Sequence, residues 1–226
     1  MKYVTLLAVA AAMTAAAAWG ADCVVERAAS APAAPEPAAT DATLELKWDS
    51  GFGKWWFAWY TGRGYWLGND FDISTIKTFG TIKTIKLQLR NNWPNIGWDG
   101  VRAGIYAFER VPGSLIWPTA GGPYFFKPTG RTGWQEIPVA WVLPGGVRSF
   151  VAAAEQYYDY PNCDPVLIDN NPTFRGHSWH YLAGKWEPFH QASIAPYRNL
   201  MLRVVVGKES VAVAPQSLGR VKALYY

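Results

Sequence analysis

Residues 81–90 read TIKTIKLQLR, and this stretch decides the fold class. Ile85, Leu87 and Leu89 fall on one side of an extended chain, while Lys86, Gln88 and Arg90 fall on the other. Period two is the mark of a half-buried β-strand, because successive side chains leave opposite faces. Outward from it, Val101, Ala103, Ile105 and Ala107 alternate in the same way. Residues 149–155 and 200–206 are more continuously apolar and suit central strands covered on both faces. Turn-forming residues separate these runs, at 92–94, 99–100, 112–113, 121–123, 144–146, 170–172 and at Ala183 and Gly184. Past the N-terminus, no stretch of twelve residues carries helical periodicity free of Gly and Pro. The expectation is an all-β domain, a two-sheet antiparallel sandwich of jelly-roll type, with about eight to ten short strands.

Composition agrees with that reading. The 226 residues include 21 Gly and 16 Pro, which many turns require. Charged residues make up 17% and hydrophobic residues 50%, and the aromatic set of 13 Trp, 12 Tyr and 10 Phe is unusually large. The formal charge of +4 does not point to nucleic acid, since no run of five or more basic residues exists. The chain divides into a signal peptide at 1–21, an Ala- and Pro-rich linker at 22–43, a β-sandwich domain at 44–208 and a tail at 209–226. The signal reading rests on Lys2, the short apolar run 4–18 and the small residues Ala18, Gly20 and Ala21. Nothing after it is apolar enough to span a bilayer, so the expected location is secreted or at the cell surface. In that oxidising setting Cys23 and Cys163 could pair, or remain thiols. Lipidation of Cys23 is disfavoured by Asp22 just before it.

Six segments together resemble a jelly-roll-type module of secreted multidomain bacterial proteins. They are LKWDSGFGKWWFAWYTGRGYWLGNDF (46–71), IKTIKLQLRNNWP (82–94), PTGRTGWQEIPV (128–139), FVAAAEQYYDYPNCDPVLIDNNP (150–172), RGHSWHYLAGKWEPF (175–189) and NLMLRVVV (199–206). The resemblance implies a sandwich fold and an extracellular setting, and it carries over no catalytic residue. His177 and His180 depart from the usual pattern of such modules. The end of the chain, SLGRVKALYY (217–226), resembles the sorting tails of a type IX-like export route, with Tyr226 where an Arg is expected. That resemblance implies the secretion machinery as a partner.

Four constellations could carry chemistry. In KWWFAWY (54–60), Trp55, Phe57 and Trp59 face one way and Trp56, Ala58 and Tyr60 the other, so both faces carry rings. The outer rings must then be covered by a loop or be offered to a ligand. Flat rings in a shallow groove suit sugars, and a glycan or another surface polymer is the expected partner. The candidate ligand-binding residues are Trp56, Tyr60, Trp66, Trp93, Trp98, Tyr157 and Tyr158, with Trp117 and Tyr160 as further members; core packing is the alternative for each. The histidines form the second group: His180 and His190 could meet across a hairpin near Glu187, although no third zinc ligand is fixed, and no metal site is assigned. In the third, Asp70, Asp72, Asp159, Asp164 and Asp169, with Asn69, Asn162, Asn170 and Asn171, could hold a structural Ca²⁺ or simply shape turns; no cofactor is otherwise expected. In the fourth, Glu155 could oppose Glu136 or Asp159 as a glycoside hydrolase pair, the one enzymatic reading kept open. No nucleophile elbow and no phosphate-cradling glycine loop occur. The expectation is a noncatalytic extracellular binding module, or alternatively a structural or adhesive surface protein acting through protein contacts.

Overall fold

A computed structural model describes residues 23–28, 43–76, 78–91, 101–118, 123–144, 146–169, 176–189 and 199–208. The signal, most of the linker and the tail read from the sequence lie outside these residues. So do Trp93, Trp98, His190, Asn170 and Asn171.

The described residues form fifteen strands in two antiparallel sheets and contain no α-helix. They are β1 (Cys23–Arg27), β2 (Thr43–Leu46), β3 (Trp55–Trp59), β4 (Tyr65–Asp72), β5 (Phe79–Leu89), β6 (Val101–Phe108), β7 (Pro112–Trp117), β8 (Tyr124–Phe126), β9 (Gly133–Val142), β10 (Ser149–Gln156), β11 (Val166–Asp169), β12 (Ser178–Leu182), β13 (Lys185–Pro188), β14 (Asn199–Leu200) and β15 (Leu202–Lys208). The first sheet runs β1-β3-β11-β5-β15-β2, with β9 beside β5 and β14 beside β11. The second runs β13-β12-β4-β10-β6-β7, with β8 beside β6. This is the all-β sandwich expected from the sequence. The excess over ten strands comes from pieces of two to five residues, such as β14, β8, β13 and β1, which add to sheet edges or to the ends of longer strands. Of these, β1 falls within the stretch read as linker, where it pairs with β3 from Cys23 opposite Trp59 to Arg27 opposite Trp55.

The alternation read from the sequence is what builds the core. Ile85, Leu87 and Leu89 of β5 face inward and are fully buried, as are Ala103 and Ile105 of β6 and Phe150 and Ala152 of β10. The two continuously apolar runs are β10 and β15, and each lies between two neighbouring strands. Ala183 and Gly184 close the β12–β13 hairpin with φ of 49° and 86°, the left-handed pair that a two-residue hairpin turn needs.

Two polar devices fix the layers. Asn69 of β4 points into the dry interior, and its amide donates to the carbonyls of Leu200 (3.1 Å) and Leu202 (2.8 Å) on the opposite sheet. Its carbonyl accepts from Ser178 Oγ (2.7 Å), and that hydroxyl in turn accepts from the Leu200 amide (3.0 Å). On the outer face of the first sheet, buried Arg203 grips Asp49 through Nε (3.0 Å) and Nη2 (2.6 Å) and Glu45 through Nη1 (2.7 Å). Lys86, expected on the wet side of its strand, is instead buried beneath Glu45 at 2.7 Å. Burial works against the Arg203 charge, but the bonds to Asp49 and Glu45 outweigh it and raise its pKa.

Asn69→Leu keeps the volume but strips donors from two buried carbonyls and a partner from Ser178. Leaving such groups unpaired costs about 1–3 kcal/mol each, so chemical denaturation should show a loss of about 3 kcal/mol. An unchanged midpoint would show that the interior tie contributes nothing to stability.

Candidate functional site

The second sheet has an outer face that is aromatic rather than polar. The cross-strand register sets its rows. In the first, Trp186, Tyr181, Trp66, Glu155 and Arg102 lie side by side across β13, β12, β4, β10 and β6. The next row holds Trp179, Gly68, Ala153 and Gly104, and the one beyond it Asp70, Val151 and Tyr106. Small residues therefore form a floor, and rings from both sides lean over it. Tyr106 meets Trp66 edge-on at 5.5 Å and Trp186 at 5.3 Å, while Phe108 meets Trp179 at 5.7 Å. A Cβ at Gly104 would stand 2.6 Å from Leu115 Cδ1 and 3.3 Å from the Tyr106 ring, so any larger residue there would have to displace the Leu115 side chain.

Hydrogen bonds hold the rings in place. Asp70 receives the Trp179 indole N–H on Oδ1 (2.7 Å) and holds His177 Nδ1 on Oδ2 (2.9 Å). Its main-chain carbonyl takes the Trp48 indole N–H (2.6 Å), and Trp48 stacks flat on His177 at 3.7 Å. Burial, followed by the Glu155 charge, pushes the Tyr106 phenol well above its ordinary range, with Arg102 opposing. The hydroxyl thus stays protonated and can both donate and accept.

At the β10 end of this face the strip continues onto the segment after the strand. Two guanidinium groups lie over the Tyr157 ring, Arg102 at 5.4 Å and Arg63 at 5.5 Å from its centroid. Phe125 and Tyr158 abut it edge-on at 5.2 and 4.9 Å. Gln156 fastens the segment by accepting from the Trp59 amide (2.8 Å) and donating to the carbonyls of Trp59 (2.7 Å) and Tyr158 (2.9 Å).

The candidates read from the sequence are distributed unevenly over this arrangement. Tyr157 and Tyr158 are half-buried at the end of the strip, and Tyr60 is exposed (47%) with its ring edge-on to Tyr160 at 5.5 Å. Trp66 belongs to the aromatic face but is only 6% exposed, so it supports neighbouring rings instead of presenting its own. Trp56 requires a correction: it is 7% exposed, on the outer side of the first sheet, covered by Leu167, Met201, Trp134 and Ala28. Of the two outcomes posed for KWWFAWY, covering is what happened at Trp56. Trp117 is half-buried against Tyr124. Tyr106, Phe108, Tyr181 and Trp186 were missed, although the residues that alternate with Val101, Ala103, Ile105 and Ala107 already spell Arg102, Gly104, Tyr106 and Phe108.

The other constellations resolve into structure. Glu155 is buried and accepts from the Gly64 amide (2.7 Å) and from Arg102 Nε. Glu136 sits on β9 of the first sheet near Lys86, so it cannot face Glu155 across a cleft. Asp169 binds Ser50 and Asn199, and Asp72 caps the Ser74 amide. Among the described residues no three His, Cys, Asp or Glu side chains converge as metal ligands. His180 points inward toward Phe189, with Glu187 3.6 Å from its Nε2.

No protein-family model and no curated protein matches the chain. Among solved structures it is similar to that of the cysteine protease and lectin-like domains of Cwp84, a surface layer associated protein of Clostridium difficile (TM-score 0.52, 12% identity, 75% of this chain and 37% of that one). A clostridial cysteine protease Cwp84 structure after propeptide cleavage is similar as well (TM-score 0.51, 11% identity, 75% and 41%). The chain thus spans about two-fifths of the length of the chains it matches, and at such identities the likeness is one of fold.

Burial lowers the His180 pKa below its ordinary value, with Glu187 opposing. A lowered folded pKa means that the unfolded chain takes up the proton first. The stability contribution is complete above about pH 6.5 and is lost as the pH falls toward and through the lower folded value. Melting temperatures across pH 8 to 5 should fall more for the wild type than for His180→Phe, and parallel profiles would refute the assignment.

Proposed function

We propose that the chain is a noncatalytic carbohydrate-binding module that receives a polysaccharide on the outer face of its second sheet. The observation that carries this reading is the half-buried set Tyr106, Tyr181 and Trp186, packed with buried Trp66 and Trp179 over a floor of small residues. A sheet face turned away from the core is ordinarily polar. Here it offers fixed rings for the apolar faces of sugars, with the Tyr106 hydroxyl and the Arg102 guanidinium beside them for sugar hydroxyls. Contacts among the rings restrict their rotamers before any ligand arrives, which lowers the entropy lost on binding. The fold likeness to a structure that includes lectin-like domains supports the reading. So do the expected signal at residues 1–21 and a secreted or cell-surface location.

Affinity electrophoresis and calorimetry on a polysaccharide panel test it. Tyr106→Ala and Trp186→Ala should each weaken binding about tenfold, or about 1.4 kcal/mol. Phe52→Ala, an exposed ring on the loop tied to Asp169, should leave binding unchanged. Absence of binding to every polymer would remove the proposal.

The alternative is an adhesive surface protein acting through protein contacts, for which exposed Tyr124 and Phe125 are available. Either role is compatible with export through residues 217–226. Deleting them should retain the protein in the periplasm if they are a sorting tail, and secretion of the truncated chain would exclude that role.

A further inference from the structure

At one end of the aromatic face, two arginines approach the same ring. Arg63 is exposed, lies over Tyr157 and meets no carboxylate through its side chain among the described residues. Arg102 uses Nε on Glu155, and its terminal nitrogens have no hydrogen-bond partner among the described residues. Among the described residues, two guanidinium groups thus leave N–H donors unused at the Tyr157 ring, next to Trp66, whose ring Arg102 also overlies at 6.0 Å.

The nearby acids do not quench this arrangement; they build it. Glu155 is buried, and both its oxygens are engaged, on Arg102 and on the Gly64 amide. Asp159 accepts with one oxygen from the backbone amides of Gly62 (2.9 Å) and Arg63 (3.4 Å), which fastens the turn carrying Arg63 and leaves its guanidinium unbridged. Both carboxylates therefore hold the 62–64 turn against the strip, and the Tyr157 ring supports the Arg63 side chain from below. An arginine placed in this way presents a planar fork of donors, the shape that matches a carboxylate through two parallel hydrogen bonds.

Building on the carbohydrate-binding reading, we infer that the polysaccharide is acidic, and that a uronate carboxylate is taken by Arg63 and Arg102 beside Tyr157. A neutral sugar would leave the Arg63 charge without a counterpart. A uronate would meet the fork while the adjoining residues of the polymer run onto Tyr106 and Trp186.

Polygalacturonate, alginate and hyaluronan, each compared with its carboxyl-reduced form, separate these readings in calorimetry at low and moderate salt. At least one acidic polymer should bind about tenfold more tightly than its reduced form, and this advantage should shrink as salt rises. Arg63→Gln should lose that tenfold advantage while binding the reduced form like the wild type, with an unchanged melting temperature. Equal affinity for acidic and reduced forms, or an equal loss on both in Arg63→Gln, overturns the acidic assignment and leaves glycan binding standing. If no polymer of any kind binds, the carbohydrate reading itself falls, and this inference with it.

Discussion

Asn69 is the residue on which the geometry of the second sheet turns. Its amide reaches across the sandwich to the carbonyls of Leu200 and Leu202, so β4 cannot slip by one residue without dragging a polar group out of its bonds. A slip of one would also exchange every side chain between the two faces. With Asn69 held inward, Leu67 and Phe71 are inward too, and Trp66, Gly68 and Asp70 must be outward. The floor of the aromatic face and the carboxylate that anchors Trp179 and His177 follow from that single choice of register.

The outward face is then shaped by size as much as by chemistry. Gly68, Ala153 and Gly104 stand in line across three strands, so over those strands nothing in that row rises from the sheet. Tyr106 and Trp66, one on each side, lean into the space left there. Because Asp70 and its partners settle Trp179 from one side and Arg102 touches Trp66 from the other, the rings have few alternative positions. Such a face is prepared before it meets anything, in contrast with a binding surface built on long loops.

Much of the fold was legible because burial follows simple alternation. The inward sets of β5 and β6, the two central strands and the hairpin at Ala183 and Gly184 were all read from spacing and turn chemistry. Harder to read was anything decided by a partner strand far away in sequence. Lys86 looked solvent-facing, yet Glu45, 41 residues before it, covers it. Trp56 looked available, yet Leu167 beside it and Met201 close over it. The aromatic face suffered most. Its members come from β4, β6, β12 and β13, and only the cross-strand register shows that they share one surface; local runs of Trp drew attention to KWWFAWY instead.

The same register argument explains why Glu155 and Glu136 do not face one another across a cleft. Hydrolysis of a glycosidic bond needs two carboxylates facing one another across the substrate with freedom to exchange protons. Glu155 is locked from both sides by Arg102 and Gly64, and Glu136 belongs to the other sheet. Asp159, near enough in sequence to be a partner, has one oxygen engaged on the backbone of the turn beside it. Each carboxylate at this end fixes the position of something else: a guanidinium, a glycine amide or the turn under Arg63. This division of labour ties the electrostatics of this end of the face to the packing of the sheet beneath it.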